Sequence, residues 1–123
     1  MKSQQLTKDL EMLLNEVNEI LNFKFNGILV NEYLDGNDYI SAHSDDEKGL
    51  DEVVGVILLS YGVERIFRIR DKKTKKKLID VLTTHDYLFQ MCGDFQKHYT
   101  HEIPSQKKIK DSRISFTFRK HLT

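Results

Sequence analysis

The hydrophobic pattern of this chain changes its period once, after about residue 22, and that change most constrains the fold. Before it, apolar residues from Leu6 to Leu21 recur at three- and four-residue spacing among charged and amide residues. This spacing predicts one amphipathic helix over residues 5–22. After it, short β-rich runs are separated by turn residues. The chain is therefore expected to be mainly β behind a single helix.

Eight β-rich runs follow the predicted helix. They cover residues 28–33, 39–43, 53–60, 65–70, 78–82, 87–91, 99–103 and 113–118. The predicted turns between them include residues 34–37, 61–62, the lysine-rich segment 71–76 and residues 92–94, where Gly and Asn tolerate positive φ. Eight short strands after one helix indicate a jelly roll, or double-stranded β-helix, whose two sheets enclose a cavity at one end.

Composition limits the remaining choices. A chain of 123 residues predicts one domain, covering residues 1–123. With 19 basic and 19 acidic residues the whole-chain charge favours no nucleic-acid partner, so any such contact must be local. The single cysteine, Cys92, fits a reducing compartment. Without a signal-like or membrane-spanning segment, the expected location is intracellular, in cytoplasm or nucleus, with no membrane partner. A monomer is assumed.

A possible metal site begins at the end of the second predicted strand. His43 and Asp45 are two residues apart, so an extended chain points both side chains the same way. The alternative is a surface histidine beside an acidic turn. Two imidazoles and one carboxylate would leave open coordination positions, as non-haem Fe(II) enzymes need. Candidates for the third ligand are His85, His98, His101 and His121. His98 and His101 both border a late strand that Pro104 ends. His101 is favoured, and His98 is expected to face solvent or substrate.

The last predicted strand alternates apolar and polar residues. Its apolar face, expected in the core, consists of Ile114, Phe116 and Phe118, and its polar face of Arg113, Ser115, Thr117 and Arg119. On an edge strand the polar face would meet water. In a jelly roll it can line the cavity, where arginine with serine and threonine suits a small carboxylate. Asn31 and Tyr33 share one face of the first strand and would add an amide and a phenol; alternatively they are a turn-proximal asparagine and an ordinary core tyrosine.

Five segments in order resemble the AlkB family of Fe(II)- and 2-oxoglutarate-dependent dioxygenases, over about Phe25 to Arg119. The segments are Asn31-Glu32-Tyr33-Leu34-Asp35-Gly36, His43-Ser44-Asp45-Asp46-Glu47, Ser60-Tyr61-Gly62, His101-Glu102-Ile103-Pro104 and Arg113-Ile114-Ser115-Phe116-Thr117-Phe118-Arg119. The resemblance implies a catalytic jelly-roll domain that uses Fe(II), 2-oxoglutarate and O2. It also implies oxidative demethylation of N-alkylated bases of the 1-methyladenine and 3-methylcytosine type in DNA or RNA, with release of succinate, CO2 and formaldehyde.

The resemblance also assigns residues. It implies His43, Asp45 and His101 as the iron ligands at the catalytic centre. The residues implied to hold 2-oxoglutarate are Asn31, Tyr33, Arg113, Ser115 and Arg119, with Arg113 as the partner of its distal carboxylate. Asp46 is implied to accept a hydrogen bond from the exocyclic amine of adenine or cytosine; the alternative is a solvated acidic turn.

Two departures from the family pattern affect the predicted substrate. Many members have asparagine at the position of Ser115, so this cosubstrate contact has a shorter reach here. AlkB-like enzymes usually carry a nucleotide-recognition lid ahead of the catalytic sheet, and only one helix precedes Phe25, so the lid is expected to be largely absent. Its base-stacking aromatic residue has no matched position. Single-stranded methylated nucleic acid is therefore the expected substrate, and a second protein that supplies substrate recognition is a candidate partner.

Two alternatives remain open. The same chemistry could act on a protein or small molecule, as the neutral charge and missing lid allow. A jelly-roll module could instead bind metal without catalysis. Two lysine clusters are candidates for phosphate contact, or else solvated turns: residues 72–77 and residues 107–110.

Overall fold

The computed structural model of the chain describes residues 7–45 and 48–122. It contains eight strands, one long helix and one short helix. In chain order they are α1 (Lys8–Leu21), β1 (Gly27–Tyr33), β2 (Ile40–His43), β3 (Val56–Gly62), β4 (Arg65–Asp71), β5 (Lys77–Thr83), β6 (Tyr87–Met91), α2 (Phe95–His98), β7 (Tyr99–Ile103) and β8 (Arg113–Arg119).

The strands form two four-stranded antiparallel sheets. The helix-side sheet has the order β1-β8-β3-β6, and the second sheet has the order β2-β7-β4-β5. Strands that are neighbours in a sheet are mostly distant in sequence, as expected when the chain alternates between two facing sheets. The prediction of a mainly β jelly roll with one N-terminal helix is confirmed.

Helix α1 covers the outer face of the helix-side sheet. Leu14 and Val17 are buried and pack with Phe25 and with two sheet residues, Ile57 and Phe118. The helix begins after Thr7, whose hydroxyl accepts a hydrogen bond from the Leu10 N–H at 3.3 Å, and it ends at Asn22 in the left-handed conformation. None of the helices in the described residues is long and apolar enough to span a membrane.

A second core lies between the two sheets. Its members come from both sheets and include buried Leu58, Phe67, Met91 and Ile103 together with Tyr33. Each strand of the helix-side sheet therefore has one face toward α1 or solvent and the other toward the second sheet. This division gives β8 its alternation, with Phe118 facing the helix-side core and the arginines facing the space between the sheets.

The sequence predictions differ from the structure mainly at β3 and at α2. Strand β3 begins at Val56 rather than residue 53, because Gly55 has φ of +73° and a Cβ there would lie 2.0 Å from the carbonyl oxygen of Met91. The predicted turn at Tyr61-Gly62 is wrong, since both residues extend β3. Helix α2 was not predicted, because four residues are too few to give a helical period.

Candidate active site

A cavity of about 340 Å³ lies between the two sheets. Apolar lining residues include Leu58, Phe67 and Ile103. Its polar and charged lining residues are Asn31, Tyr33, His43, Asp45, His101, Arg113, Ser115, Thr117 and Arg119. Every residue that the family resemblance implied as an iron ligand or a cosubstrate contact therefore lines a single cavity. The candidate substrate contact Asp46 lies outside the described residues.

Three of these residues converge on one point. His43, Asp45 and His101 each offer one potential ligand atom, and these atoms lie within 4.8 Å of one another. The Asp45 carboxylate has Oδ2 at 3.2 Å from His101 Nε2 and Oδ1 at 3.8 Å from His43 Nε2. Two nitrogens and one carboxylate oxygen at this separation can hold a divalent transition metal and leave coordination positions open.

Strand pairing brings the two imidazoles together. His43 and His101 are directly opposite each other in the antiparallel β2–β7 ladder, and their ring centroids are 4.3 Å apart. The Nδ1 atom of His43 lies 2.8 Å from the carbonyl oxygen of Ser41. Because a carbonyl can only accept, this contact places a proton on Nδ1, and in the neutral imidazole the Nε2 lone pair is then available to a metal.

His101 is held from behind by an aromatic ring. Its side chain is 6% exposed, and its ring stacks on Phe67 with centroids 5.2 Å apart and an interplanar angle of 15°. The stacking fixes the plane of the imidazole, so that Nε2 is directed toward Asp45. His101 Nδ1 is buried and has no hydrogen-bond partner within the described part of the chain.

The Asp45 carboxyl stays ionised in this site. Burial by itself would raise its pKa. The hydrogen bond from His101, together with the charges of His101, Arg119 and His43, outweighs burial and leaves the pKa below its ordinary value. Arg119 contributes a direct contact, in which Nη2 donates to Asp45 Oδ1 at 2.9 Å. A carboxylate is therefore ready to act as a ligand.

The polar face of β8 forms one wall of the cavity. Arg113, Ser115 and Thr117 are buried, which excludes the alternative that this face meets water. Strand β1 pairs with β8 so that Asn31 is opposite Ser115 and Tyr33 is opposite Arg113. The four residues therefore share one face of the helix-side sheet, and the register explains why two motifs far apart in sequence line the same wall.

Arg113 is a buried cation whose donors are only partly used. The residue is 1% exposed, and Nη2 donates to the Ser60 hydroxyl at 2.8 Å. Its Nε and Nη1 atoms are buried and have no partner among the described residues. The guanidinium lies 5.1 Å from the centroid of the Tyr33 ring. Burial lowers the pKa of Arg113, which the Tyr33 hydroxyl partly offsets. Two unused N–H donors at a buried cation suit an anionic ligand.

Arg65 was missed by the sequence reasoning. It is fully buried and lies over the Tyr33 ring at 5.5 Å. Its guanidinium donates to the carbonyl oxygens of Asp35, Asp38 and Pro104 at 2.8–3.2 Å. Arg65 thereby joins the β1–β2 connection to the segment after β7. The sequence gave no indication of this role, because an arginine at the start of a strand is usually expected on the surface.

The other candidate histidines lie elsewhere. His98 is exposed at the end of α2, His85 accepts from the Gly62 N–H at 3.1 Å, and His121 contacts the segment before β1 through Asn26. Residues 73–77 are exposed around the β4–β5 turn, as are Lys107, Lys108 and Lys110. The preference for His101 as the third member of the cluster agrees with this placement.

Both a family model and curated proteins of the same kind match this chain. The sequence model of the 2OG-Fe(II) oxygenase superfamily matches residues 1–119. The DNA oxidative demethylase ALKBH2 of Mus musculus is 33% identical over 92% of this chain and 50% of its own length, and the Homo sapiens protein is 32% identical over 92% and 46%. The alpha-ketoglutarate-dependent dioxygenase alkB homolog 3 of Bos taurus is 31% identical over 88% of this chain and 41% of its own length. The chain thus spans about half the length of the curated relatives that it matches.

Proposed function

The chain belongs to the 2OG-Fe(II) oxygenase superfamily and is AlkB-like, and we propose that its cavity is the active site of a dioxygenase that removes N-methyl groups from nucleic-acid bases. The observation that carries the proposal is the convergence of two separate constellations on one cavity. One is the His43, Asp45 and His101 cluster, and the other is the buried cationic wall around Arg113. The proposal treats residues 1–123 as one catalytic domain.

The donor set fits Fe(II). His43, Asp45 and His101 would hold the ion, since two imidazoles and one carboxylate are the set found in non-haem Fe(II) oxygenases. When bound, iron with 2-oxoglutarate and O2 supplies the oxidising chemistry, in which the cosubstrate becomes succinate and CO2 and a hydroxylated methyl group leaves as formaldehyde. The protein's part is to keep Asp45 ionised, to fix both imidazoles and to orient the other reactants.

The polar wall fits 2-oxoglutarate. Arg113 would bind the distal carboxylate through Nε and Nη1, the two donor atoms without a partner among the described residues, while Tyr33, which lies against its guanidinium, would add a phenolic donor. Asn31, Ser115 and Arg119 line the same cavity and would complete the cosubstrate contacts. Arg119 would serve two roles, because it also donates to Asp45.

Methylated nucleic acid is the proposed substrate class. Support comes from the relatives, whose names describe DNA oxidative demethylases. A base must leave the stack to reach a cavity between two sheets, and this is easiest in a single strand or at a damaged base. The exposed lysines around the β4–β5 turn can contact phosphates, and Asp46 would accept a hydrogen bond from the base. A second protein that supplies substrate recognition remains part of the proposal.

The test is mass spectrometry of single-stranded DNA and RNA oligonucleotides that carry 1-methyladenine or 3-methylcytosine. The protein is incubated with them under air with Fe(II), ascorbate and 2-oxoglutarate. We expect each oligonucleotide to lose the mass of one methylene group, only when 2-oxoglutarate is present, and the preferred polymer to react faster.

The matched control pair is Asp45→Ala and Asp80→Ala, because Asp80 pairs with Arg68 rather than lining the cavity. Asp45→Ala should abolish the mass loss and Asp80→Ala should retain it. Succinate formation without any change in the oligonucleotides would move the chemistry to a protein or small-molecule substrate. Absence of both succinate and demethylation would contradict the proposed enzyme.

A further inference from the structure

The carboxylate ligand candidate lies outside regular secondary structure. Strand β2 ends at His43, so no ladder hydrogen bond of a named strand fixes the backbone of Asp45. His43 and His101, by contrast, are each held within a paired strand. A side chain in this position keeps its geometry only if other groups hold its backbone.

Two side-chain hydrogen bonds hold this backbone. The Asp45 N–H donates to Gln96 Oε1 at 2.7 Å, and the Ser44 hydroxyl donates to the carbonyl oxygen of Tyr99 at 2.7 Å. Both partners belong to the segment formed by α2 and β7, which also carries His101. The Asp45 segment is therefore attached to the strand that supplies the buried imidazole.

Gln96 makes two further contacts that hold it in place. Its side-chain amide nitrogen lies 3.7 Å from the sulfur of Met91, which is buried in the core between the sheets. Its backbone carbonyl oxygen accepts a hydrogen bond from Lys72 Nζ at 3.0 Å. Its side chain is half-buried and also lines a cleft of about 30 Å³ together with Asp45. The side-chain oxygen accepts from the Asp45 N–H, while the amide nitrogen and the backbone of Gln96 contact Met91 and Lys72.

We infer that Gln96 is a positioning residue for the metal site. It acts through Asp45, by holding the backbone so that the carboxylate stays near His43 and His101. This inference rests on the proposed function, because it assumes that Asp45 is a metal ligand. Groups that orient a metal ligand typically change metal affinity by about 10- to 100-fold when they are removed.

The test is calorimetric titration of Mn(II) into the metal-free protein at about 0.5 M salt, where long-range charge effects are screened. Gln96→Leu removes the acceptor oxygen with little change in size, and Gln96→Met does the same with a more flexible chain. Gln96→Glu keeps an oxygen at the same position. Gln90→Leu is the matched control, because the Gln90 side chain also makes a hydrogen bond to the backbone, in which it donates to the carbonyl oxygen of Val54, but has no hydrogen bond to Asp45.

We expect Gln96→Leu and Gln96→Met to weaken Mn(II) binding by about 10- to 100-fold. Gln96→Glu should restore affinity to near the wild-type value, and Gln90→Leu should leave it unchanged. With Co(II) as the probe, the visible spectrum of Gln96→Leu should also differ from that of the wild type, because the position of the carboxylate has changed.

Three results would overturn the inference. One is wild-type affinity and an unchanged Co(II) spectrum in both acceptor-free variants. The second is a failure of Gln96→Glu to recover affinity. The third is loss of the cooperative unfolding transition in both Gln96→Leu and Gln96→Met, which would make the role structural. Failure of the proposed metal site is distinguishable, because the wild-type protein would then bind Mn(II) no better than Asp45→Ala. A protein that binds Mn(II) as expected but does not demethylate would contradict the proposed function and leave this inference standing.

Discussion

Two groups of charged residues lie on opposite sides of the second sheet, one on its outer face and one in the cavity between the sheets. They differ in how far their hydrogen-bonding groups are paired with one another. The outer charge cluster comprises Arg68, Arg70, Asp80 and Glu102. There Arg68 donates to both carboxylate oxygens of Asp80 at 2.8 and 3.1 Å, and Arg70 donates to Glu102 at 2.7 Å. In the cavity, Arg113 is buried with a serine hydroxyl as its hydrogen-bond partner and two donors unused.

The charged groups of the outer charge cluster pair with one another, whereas Arg113 has donor atoms free to bind a ligand. Half-exposed ion pairs such as those of the outer charge cluster contribute little to stability, because water solvates each partner well. A buried cation without an acidic partner is instead unfavourable for folding. A bound anion would supply the missing partner, which explains why an arginine is present at this buried position. The cavity therefore has the character of a binding site, whereas the outer charge cluster has that of a solvated sheet surface.

The largest effect should separate Asp45 from Asp80. Asp45→Ala removes one of three potential metal ligands and should weaken Mn(II) binding by more than about 100-fold. Asp80→Ala removes a carboxylate of the outer charge cluster and should leave the affinity within error. Calorimetric titration of both metal-free variants checks this, and equal affinities would remove the distinction between the two groups.

The second effect concerns the two arginines. Arg113→Met should weaken 2-oxoglutarate binding to the Mn(II)-loaded protein by at least about 30-fold, because a buried charge-assisted contact is lost. Arg68→Met should not change it. The measurement is a 2-oxoglutarate titration of each variant followed by calorimetry. A wild-type dissociation constant for Arg113→Met would contradict the assignment of the cationic wall to the cosubstrate.

A smaller effect should have opposite signs in the two regions. Without ligands, Arg113→Met replaces an unpaired buried charge by an apolar side chain and should raise the free energy of unfolding by about 1 kcal/mol. Arg68→Met breaks a half-exposed ion pair and should lower it by less than about 1 kcal/mol. Urea unfolding of the metal-free proteins compares them. Destabilisation of equal size in both would show that Arg113 serves the fold rather than a ligand.

The smallest effect is a pH dependence within the outer charge cluster. The hydrogen bond from Arg68 holds the pKa of Asp80 below its ordinary value of 3.8. A carboxyl with a lowered pKa in the folded state stabilises the protein above its unfolded pKa and loses that contribution as the pH falls through the folded value. The difference between wild type and Asp80→Asn, about 0.5 kcal/mol at neutral pH, should therefore shrink below about pH 4. A difference that grows in acid would contradict the sign.

Sequence patterns predicted most of the strands because residues two apart in a strand share a face, and the same rule placed Arg113 beside Ser115. Asp45 lies beyond the end of β2, so its position near His43 depends on hydrogen bonds to α2 and β7 and not on strand alternation. The alternation in β8 left open whether its polar face meets water or a cavity. That choice depends on the second sheet and on α1, which covers the apolar face through Leu14 and Val17. The residue pattern of one strand does not indicate which of its faces another sheet or helix will cover.

Other features of the site could not be read from local pattern. Arg65 and Gln96 act through hydrogen bonds to backbone atoms of segments far away in the chain. Such contacts depend on the folded path of the backbone, and any residue type can offer a carbonyl or an N–H. The four-residue helix α2 likewise has too few residues to show a period, although it places Gln96 beside the backbone N–H of Asp45.

The most direct test of the account is an anaerobic titration in which 2-oxoglutarate is added to the Fe(II)-loaded protein and the visible absorbance is recorded. The account predicts a new absorbance band in the wild-type protein, because the cosubstrate binds the iron while Arg113 holds its distal carboxylate. The band should persist in Arg68→Met and be absent in Asp45→Ala. A wild-type protein that binds Fe(II) but shows no spectral change would contradict the account and leave a metal-binding module without dioxygenase chemistry.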